Sequence, residues 1–247
     1  MTKTVAIIPA RWASSRFPGK PLALLRGKPM IQLVYQRCQL IEGLDSVHVA
    51  TDNEEILNVV EGFGGSAFLT SPYHRSGTDR LAEACLLLGL NGDDLVVNVQ
   101  ADQPAVNPAH PALLAQALQE DPSLGMTTLA VPLLDPTEIK DPNHVKVVFD
   151  ENYRALYFSR APIPWPRDGG PGLYYKHVGL YAYTVKLLRL FVSWSPGRLE
   201  ELEKLEQLRV LERGQSIKII LAEGLSPEVD VPEDISKAEA LLAQDLK

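Results

Sequence analysis

The sequence predicts an α/β fold with a mainly parallel sheet, helices on both of its faces and a smaller antiparallel region. Through the first half of the chain, short apolar runs alternate with amphipathic segments, as strands do when helices connect them. Beyond about Gly125 the pattern changes to strand-like runs separated by turn residues, which indicates antiparallel pairing. With 247 residues, of which 45% are hydrophobic, and no visible linker or repeat, we expect one domain, 1–247.

The first half predicts four strands in the order β-α-β-α-β-α-β. Pro29 suits the first turn of a helix, and Asp52 or Asn53 can cap the next one. Glycines at 62, 64 and 65 suit the end of that second helix. The predicted strands are Thr4–Pro9, Ser46–Ala50, Ser66–Leu69 and Asp94–Val99.

The second half predicts a hairpin and then further mixed elements. In "VKVVFDENYRALYF", two strand-like runs flank Asp150, Glu151 and Asn152, which is a turn composition. A proline- and glycine-rich loop follows over 161–172, and long loops of this kind are often functional. The remaining predicted elements are a strand at 175–183, a helix over Gly197–Gly214, a strand at 216–222 and a final helix after Pro232.

Composition excludes several classes of protein. The formal net charge of -7 argues against binding of nucleic acid or of an anionic membrane, because both reward a basic face. No apolar run is long enough to cross a bilayer and no leader pattern is visible, so we expect a cytoplasmic protein. Cys38 and Cys85 lie in apolar helical patterns without CxxC spacing, which predicts buried thiols.

The turn after the first strand, within "IIPARWASSRFPGKP", carries groups that bind phosphate. Backbone at a strand-to-helix turn, cations and hydroxyls together can cradle an anion. The spacing matches neither the P-loop nor the dinucleotide fingerprint, and a solvated charged loop is the alternative. The candidate groups are Arg11, Ser14, Ser15, Arg16, Gly19 and Lys20.

Two acidic positions are candidate metal ligands. Asp102, in "LVVNVQADQP", comes just after a buried strand, at the edge where open α/β sheets bind ligands. Its carboxylate can hold a hard divalent cation together with substrate phosphates, although a turn cap is the plainer explanation. Asp230 and Asp234, in "EVDVPED", suit helix capping, and only proximity to Asp102 would make Asp230 a second ligand.

Two further stretches are unusually polar. In "HRSGTDR", Ser76 and Thr78 suit helix caps, and Arg80 can be an ordinary solvent-facing residue. In "KHVGLYAY", alternation places His177 and Tyr181 on one strand face that can line a polar pocket, although a structural histidine is the commoner case.

Together these stretches resemble the 3-deoxy-D-manno-octulosonate (Kdo) cytidylyltransferases, also called CMP-Kdo synthetases. The similarity covers nearly the whole chain in the family's order. "YFSRAPIPW" and "LEQLRVL" are more particular to this family than the opening motif, which other cytidylyltransferases share in looser form. The matching stretches are "IIPARWASSRFPGKPL", "GKPMI", "VATDNEEI", "SGTDRLAEA", "VNVQADQP", "VKVVFDENYRALYFSRAPIPW", "KHVGLYAY", "LEQLRVL" and "VDVPEDISKAEALL".

The resemblance implies a nucleotide-diphospho-sugar transferase-like fold and a homodimer built partly by the antiparallel region. It implies Mg2+-dependent transfer of CMP from CTP to Kdo, with release of pyrophosphate, for lipopolysaccharide biosynthesis. Residues 1–130 would form mainly the nucleotide-binding part, and 131–247 the sugar-binding and dimerisation part. Alternatives are an enzyme for an 8-amino Kdo analogue or a sialic-type sugar, and a catalytically silent nucleotide-binding regulator.

The resemblance also implies roles for individual residues. Lys20, Arg11, Asp102 and Asp230 would serve catalysis, and the two aspartates would hold the metal. The nucleotide-binding residues would be Pro9, Ala10, Arg11, Lys20, Ser76, Gly77 and Gln100. The sugar-binding residues would be Arg80, Arg160, His177, Tyr181, Glu206 and Gln207. Arg160 precedes the loop 161–172, which we expect to close over the sugar.

One departure concerns the surroundings of Asp102. The family commonly reads "VQGDEP", whereas this chain has Ala101 and Gln103 on either side of Asp102. We expect metal binding to survive because Asp102 is present, but Gln103 replaces a nearby carboxylate and alters the charge around the site.

Overall fold

The computed structural model describes residues 2–13, 17–74, 76–169, 172–224 and 228–244. Its strands are β1 (Thr4–Ala10), β2 (Leu24–Leu25), β3 (Lys28–Pro29), β4 (Ser46–Thr51), β5 (Ala67–Leu69), β6 (Leu95–Asn98), β7 (Met126–Leu133), β8 (Lys146–Phe149), β9 (Ala155–Ser159), β10 (Tyr174–Thr184) and β11 (Ile217–Leu221). Its α-helices are α1 (Met30–Cys38), α2 (Glu54–Gly62), α3 (Gly77–Leu87), α4 (Ala109–Glu120), α5 (Pro136–Lys140), α6 (Val185–Ser193), α7 (Arg198–Glu203), α8 (Gln207–Glu212) and α9 (Ile235–Gln244).

A nine-stranded mixed sheet organises the chain, with the order β11-β7-β10-β6-β1-β4-β5 and the β8–β9 hairpin attached to β10. β1 pairs in parallel with β4 and β6, and β4 pairs in parallel with β5, as the first half of the sequence predicts. The predicted hairpin is confirmed, because β8 and β9 pair antiparallel. β10 lies antiparallel between β6 and β7, which the sequence pattern did not place.

Both faces of the sheet are covered by helices, as predicted. Within the fully buried β1, Val5 and Ile7 pack into one hydrophobic cluster, while Ala6 and Ile8 pack into the other. Helices α1, α2, α4 and α9 contribute to the cluster of Ala6, and α3, α6 and α8 contribute to the cluster of Val5. A strand buried on both faces therefore reads as the continuous apolar run that opens the sequence.

The predicted helix over Gly197–Gly214 is wrong in its continuity. It forms two short helices, α7 and α8, because Lys204 adopts a left-handed conformation with φ of 54° and ends the first helix. Arg209 of α8 reaches back to Glu200 of α7, with Nε 2.7 Å from the carboxylate, and this buried pair fixes the bend. The bend turns the residues that follow Lys204 towards the sheet.

Two predictions about the ends and interior of the helices are confirmed. Asn53 caps α2, because its side-chain oxygen accepts a hydrogen bond from the Ile56 amide at 3.0 Å. Cys38 and Cys85 are buried free thiols, and burial raises the pKa of Cys85 to about 12. Within the described ranges, no helix combines the length and apolar character that crossing a bilayer demands.

Candidate active site

The candidate active site lies at the carboxyl ends of the parallel neighbours β1 and β6. From β1 the chain passes into the exposed Arg11 and then turns back, where the Gly19 amide donates to the Trp12 carbonyl at 3.2 Å. Gly19 has φ of 69°, and a Cβ there would lie 3.4 Å from the Trp12 ring, so glycine suits this tight turn. Of the other predicted phosphate ligands, positions 14 to 16 lie outside the described residues.

Lys20 follows this turn and places its ammonium between two carboxylates. Its Nζ is 2.6 Å from Asp102 Oδ2 and 3.6 Å from Asp230 Oδ1. The two carboxylate oxygens are therefore no farther apart than the sum of these distances, although the two aspartates are distant in sequence. The structure thus brings together three of the residues that the sequence nominated for catalysis.

Asp234, rather than Asp230, has the capping role that the sequence offered as the plainer explanation for both residues. The Asp234 carboxylate accepts hydrogen bonds from the backbone amides of Asp230, at 3.1 Å, and Val231, at 3.2 Å. The Val229 amide donates to the Asp102 carbonyl at 2.9 Å and ties the two acidic segments together. Asp230 is consequently held with its carboxylate near Lys20.

The predicted nucleotide-binding residues of β1 and α3 lie next to one another. Pro9 and Ala10 are buried at the end of β1, and a Cβ built on Gly77 would lie 3.7 Å from the Pro9 ring. Ser76 caps α3 in a reciprocal capping box with Asp79, which confirms its predicted capping role. The start of α3 is thereby fixed next to the end of β1.

Two adjoining cavities open at this edge of the sheet, with volumes of about 330 and 550 Å3. Gly179 and Glu228 line both of them. The larger cavity is also bordered by His177 and Asp230. The smaller cavity is bordered by the sequence candidates Gly77, Gln100, Asp102, Tyr181, Glu206 and Gln207.

The smaller cavity is lined by buried polar side chains, of which some lack a hydrogen-bond partner among the described residues. Glu206 accepts a hydrogen bond from the Thr78 hydroxyl at 2.8 Å, and burial raises the pKa of this carboxyl. Asn98 Oδ1 and Gln207 Nε2 are buried and have no hydrogen-bond partner among the described residues. Because buried polar atoms are almost always bonded, one acceptor and one donor are available here for a polar ligand.

His177 borders the larger cavity as a neutral group. Its ring lies between the rings of Phe158 and Tyr181, at centroid distances of 5.1 and 5.5 Å, and Nε2 is 3.0 Å from the Thr128 hydroxyl. Burial lowers the pKa of His177 to about 3. His177, which the resemblance places among the sugar-binding residues, is therefore neutral near pH 7 and can exchange only a neutral hydrogen bond with a ligand.

This burial predicts a pH-dependent contribution to stability. The folded-state pKa of His177, about 3, lies below the ordinary value of 6.5, so the unfolded chain binds the proton first as the pH falls. The contribution of neutral His177 to the free energy of unfolding is complete above pH 6.5 and is lost as the pH falls towards 3. Between pH 7 and pH 5 this loss amounts to about 2 kcal/mol. Urea unfolding at these two values should show a smaller loss for His177→Gln than for the wild type. Equal losses would contradict the assignment.

Arg80 is not brought to either cavity. Its side chain is fully buried, its Nη2 is 2.7 Å from Asp52 Oδ2, and its Nη1 donates to the Thr70 hydroxyl. Asp52 in turn accepts a hydrogen bond from the Trp12 amide at 3.3 Å. Arg80 is therefore neither solvent-facing nor positioned for direct contact with a sugar; it supports the turn after β1.

Arg160 is also engaged within the protein. Its guanidinium donates to the carbonyls of Glu203, at 2.8 Å, and Pro142, at 2.9 Å. Its own carbonyl accepts from Lys146 Nζ at 2.6 Å, and the lysine also donates to the His144 carbonyl at 2.6 Å. This network fixes the segment around His144, which borders the larger cavity, without placing the Arg160 guanidinium in it.

The sequence did not nominate Glu228, which lines both cavities. Glu228 Oε1 accepts a hydrogen bond from Gln103 Nε2 at 3.1 Å. Desolvation, and then the charge of Asp102, raises the pKa of the Glu228 carboxyl. The sequence offered two signals for Glu228: its place at the start of "EVDVPED" and the unusual Gln103. Neither signal shows that positions 103 and 228, which are distant in the chain, lie in contact.

Solved structures show where this fold has been seen before. One, described as CMP:2-keto-3-deoxy-manno-octonic acid synthetase complexed with CTP, has a TM-score of 0.93 and 41% identity, covering 99% of this chain and 100% of that one. A 4-diphosphocytidyl-2C-methyl-D-erythritol synthase has a TM-score of 0.67 at 14% identity, covering 98% and 99%, and shows the fold alone. The expected nucleotide-diphospho-sugar transferase-like fold is confirmed.

Relatives of known name cover almost the whole chain. An 8-amino-3,8-dideoxy-manno-octulosonate cytidylyltransferase from Shewanella frigidimarina is 52% identical over 98% of this chain and 100% of its own length. The protein of the same name from Shewanella halifaxensis is 53% identical over 97% and 98%. The sequence profile of the family described as Cytidylyltransferase matches residues 5–219. The chain therefore belongs to the cytidylyltransferase family.

Proposed function

We propose that this protein transfers the cytidylyl group of CTP to the anomeric hydroxyl of a 3-deoxy-manno-octulosonic acid. The hydroxyl oxygen attacks the α-phosphorus, a new P–O bond forms, and the bond from that phosphorus to the β-phosphate oxygen breaks. Pyrophosphate leaves with the electron pair, and the proton of the hydroxyl passes to solvent. The products are a CMP-sugar and pyrophosphate.

The observation that carries this proposal is the position of Lys20 between Asp102 and Asp230, beside the end of β1. A transferase of this kind must hold an anionic triphosphate and an anionic sugar close together. Lys20 and the exposed Arg11 supply positive charge on the side of the turn, where they would offset the phosphates. The two aspartates face the same place and supply oxygen ligands.

The residues present fit Mg2+. Asp102 and Asp230 are hard oxygen donors held near one point, and Mg2+ is commonly bound by one or two carboxylates plus substrate phosphates and water. Two carboxylates leave the remaining coordination positions to substrate phosphates and water. When bound, the ion would supply charge neutralisation between two anions.

The remaining work of the chain is positioning. The buried end of β1 and the fixed start of α3 form a rigid edge against which a base can be selected by hydrogen bonds. We assign the nucleotide to this edge, through Pro9, Ala10, Arg11, Lys20, Ser76, Gly77 and Gln100. We assign the sugar to the cavities, with direct contacts from His177, Tyr181, Glu206 and Gln207. Arg80 and Arg160 would not contact the sugar directly but would hold neighbouring segments in place.

Two closely related sugars, Kdo and its 8-amino analogue, are the candidate substrates. Kdo is the sugar that the sequence motifs put first, and a solved structure 41% identical to this chain bears its name. The relatives at 52% and 53% identity are named for the 8-amino-3,8-dideoxy sugar. We therefore propose the 8-amino sugar as the preferred substrate and Kdo as the second candidate.

We propose in addition that the antiparallel region forms a homodimer. Large apolar side chains are exposed there, with Leu156 62%, Trp165 81% and Leu173 63% accessible. Exposed apolar side chains of this size would be covered by a partner subunit if they form one patch. Closure of the loop 161–172 over the sugar stays a prediction, and two of its positions, 170 and 171, lie outside the described residues.

The test of the proposed function is pyrophosphate release by the purified protein with CTP and Mg2+. Release should require a sugar, should be supported by one or both of the two octulosonates, and should be accompanied by an equal amount of CMP-sugar. A sialic-type sugar should not replace them. If the protein binds CTP but releases no pyrophosphate with any of these sugars, the result would favour a nucleotide-binding regulator instead.

A further inference from the structure

We propose that Glu228, oriented by Gln103, is the group that distinguishes an amino sugar from its hydroxyl analogue by pairing with the positively charged amine. This inference rests on the proposed function and deepens it, because it assigns one group of the substrate to one side chain. The ligand class is a protonated primary amine on an acidic sugar.

Glu228 is placed where it can meet a ligand from either cavity. It lines both cavities, and together with Gly179 it forms the boundary that they share. Its only hydrogen bond among the described residues is with the neutral Gln103 amide, and no ion pair of Glu228 is formed within that part of the chain. Lys20, by contrast, is engaged with the other two carboxylates of the site. Lys176, which also lines the larger cavity, acts on Glu228 through its charge but forms no ion pair with it among the described residues, so the carboxylate can pair with a cationic group from outside the protein.

Gln103 determines how this carboxylate is held. Its side chain is fully buried, and its Nε2 donates to Glu228 Oε1 at 3.1 Å. A glutamate at position 103 would bring two carboxylates into contact at this distance, and they would repel one another. Gln103 thus orients Glu228 without placing a second charge beside it, so that Gln103 and Glu228 act as one unit.

The wall of the smaller cavity independently favours a polar ligand in this place. Asn98 Oδ1 and Gln207 Nε2 line the smaller cavity, are 3% and 5% exposed as residues, and have no partner among the described residues. A polyhydroxylated sugar can donate to the first and accept from the second. A ligand satisfying both would have its other groups within the space that Glu228 borders.

The chemistry favours an ammonium over a hydroxyl at Glu228. Both groups can donate a hydrogen bond to the carboxylate, but only the ammonium also compensates the charge that loses water when the ligand binds. A hydrogen bond in which both partners are charged exceeds one from a neutral hydroxyl to the same carboxylate by enough to give about a 10- to 100-fold preference. The hydroxyl analogue remains a substrate, because its other contacts are unchanged.

The experiment measures kcat/KM for 8-amino-3,8-dideoxy-manno-octulosonate and for Kdo, at saturating CTP and Mg2+, in the wild type and in Glu228→Gln. The wild type should prefer the amino sugar by about 10-fold or more, and the variant should lose this preference through a fall of about 10- to 100-fold on the amino sugar. Activity with Kdo should fall by less, only a few-fold, because the glutamine oxygen still accepts a hydrogen bond from the hydroxyl. Glu233→Gln, which removes an exposed carboxylate from the same segment, should change neither value.

Gln103→Glu provides a second variant, which should also lose the preference for the amino sugar while its KM for CTP stays near that of the wild type. A wild type that uses the two sugars equally, or a Glu228→Gln variant that loses the same factor on both, would overturn the proposal. Failure of the wild type to release pyrophosphate with either sugar would instead overturn the proposed function. The two failures are therefore distinguishable.

Discussion

Asp102→Asn should lower the rate of CMP-sugar formation by about 100- to 1000-fold, because it removes one of two carboxylates that converge on a single point. The substitution keeps the size of the side chain but removes the negative charge that lies 2.6 Å from Lys20 Nζ. Both the proposed metal ligand and the partner that orients the lysine are lost together. Steady-state pyrophosphate release with CTP, Mg2+ and the sugar gives the measurement.

The fold should survive this substitution, because Asp102 is not needed to cap a helix and its carbonyl still accepts from the Val229 amide. A thermal unfolding curve close to that of the wild type would show this. Asp93→Asn, at an exposed position before β6, is the matched control and should retain full activity. Near-normal turnover in Asp102→Asn would reject the role that we assign to this carboxylate.

Arg80→Met should lower the free energy of unfolding by roughly 3 kcal/mol. The Arg80 side chain is fully buried, and its loss leaves Asp52, whose side chain is 15% exposed, without the cation that lies 2.7 Å away. Methionine keeps much of the apolar stem, so the effect reports mainly the broken ion pair. Urea unfolding monitored by circular dichroism gives the free energy.

This substitution separates two explanations of the same arginine. If Arg80 contacted the sugar directly, as the resemblance implies, the variant would keep its stability and show only a raised KM for the sugar. Because Asp52 also holds the Trp12 amide, we expect destabilisation accompanied by weaker CTP binding. Arg198→Met, at an exposed position of α7, should alter neither property.

The architecture could be predicted from the sequence because its local signals agree with the tertiary structure. The apolar run in β1 is buried on both faces, and Asn53 caps α2 as its position suggests. The helix over Gly197–Gly214 could not be predicted correctly, since its apolar spacing continues across the bend. The first helix ends at Lys204, which has a left-handed conformation, and the buried Glu200–Arg209 pair holds the two short helices together across the bend.

The candidate site was predictable to the extent that its residues lie at strand ends. Lys20 and Asp102 follow β1 and β6, which are adjacent in the sheet, so their convergence follows from topology. Arg80 and His177 were predicted to bind the sugar partly from their residue types, and a residue type does not reveal burial. Arg80 forms a buried ion pair with Asp52, and His177 is neutral. Glu228 could not be recognised because its partner lies far away in the sequence.

The central claim is that one site joins the α-phosphorus of CTP to an octulosonic acid. The most direct measurement follows CTP labelled at the α-phosphorus, incubated with the protein, Mg2+ and each sugar in turn. We predict that the label passes to a CMP-sugar in an amount equal to the pyrophosphate released, only when both substrates are present. Label that remains in CTP with both sugars, or that appears in CMP without any sugar, would contradict the account.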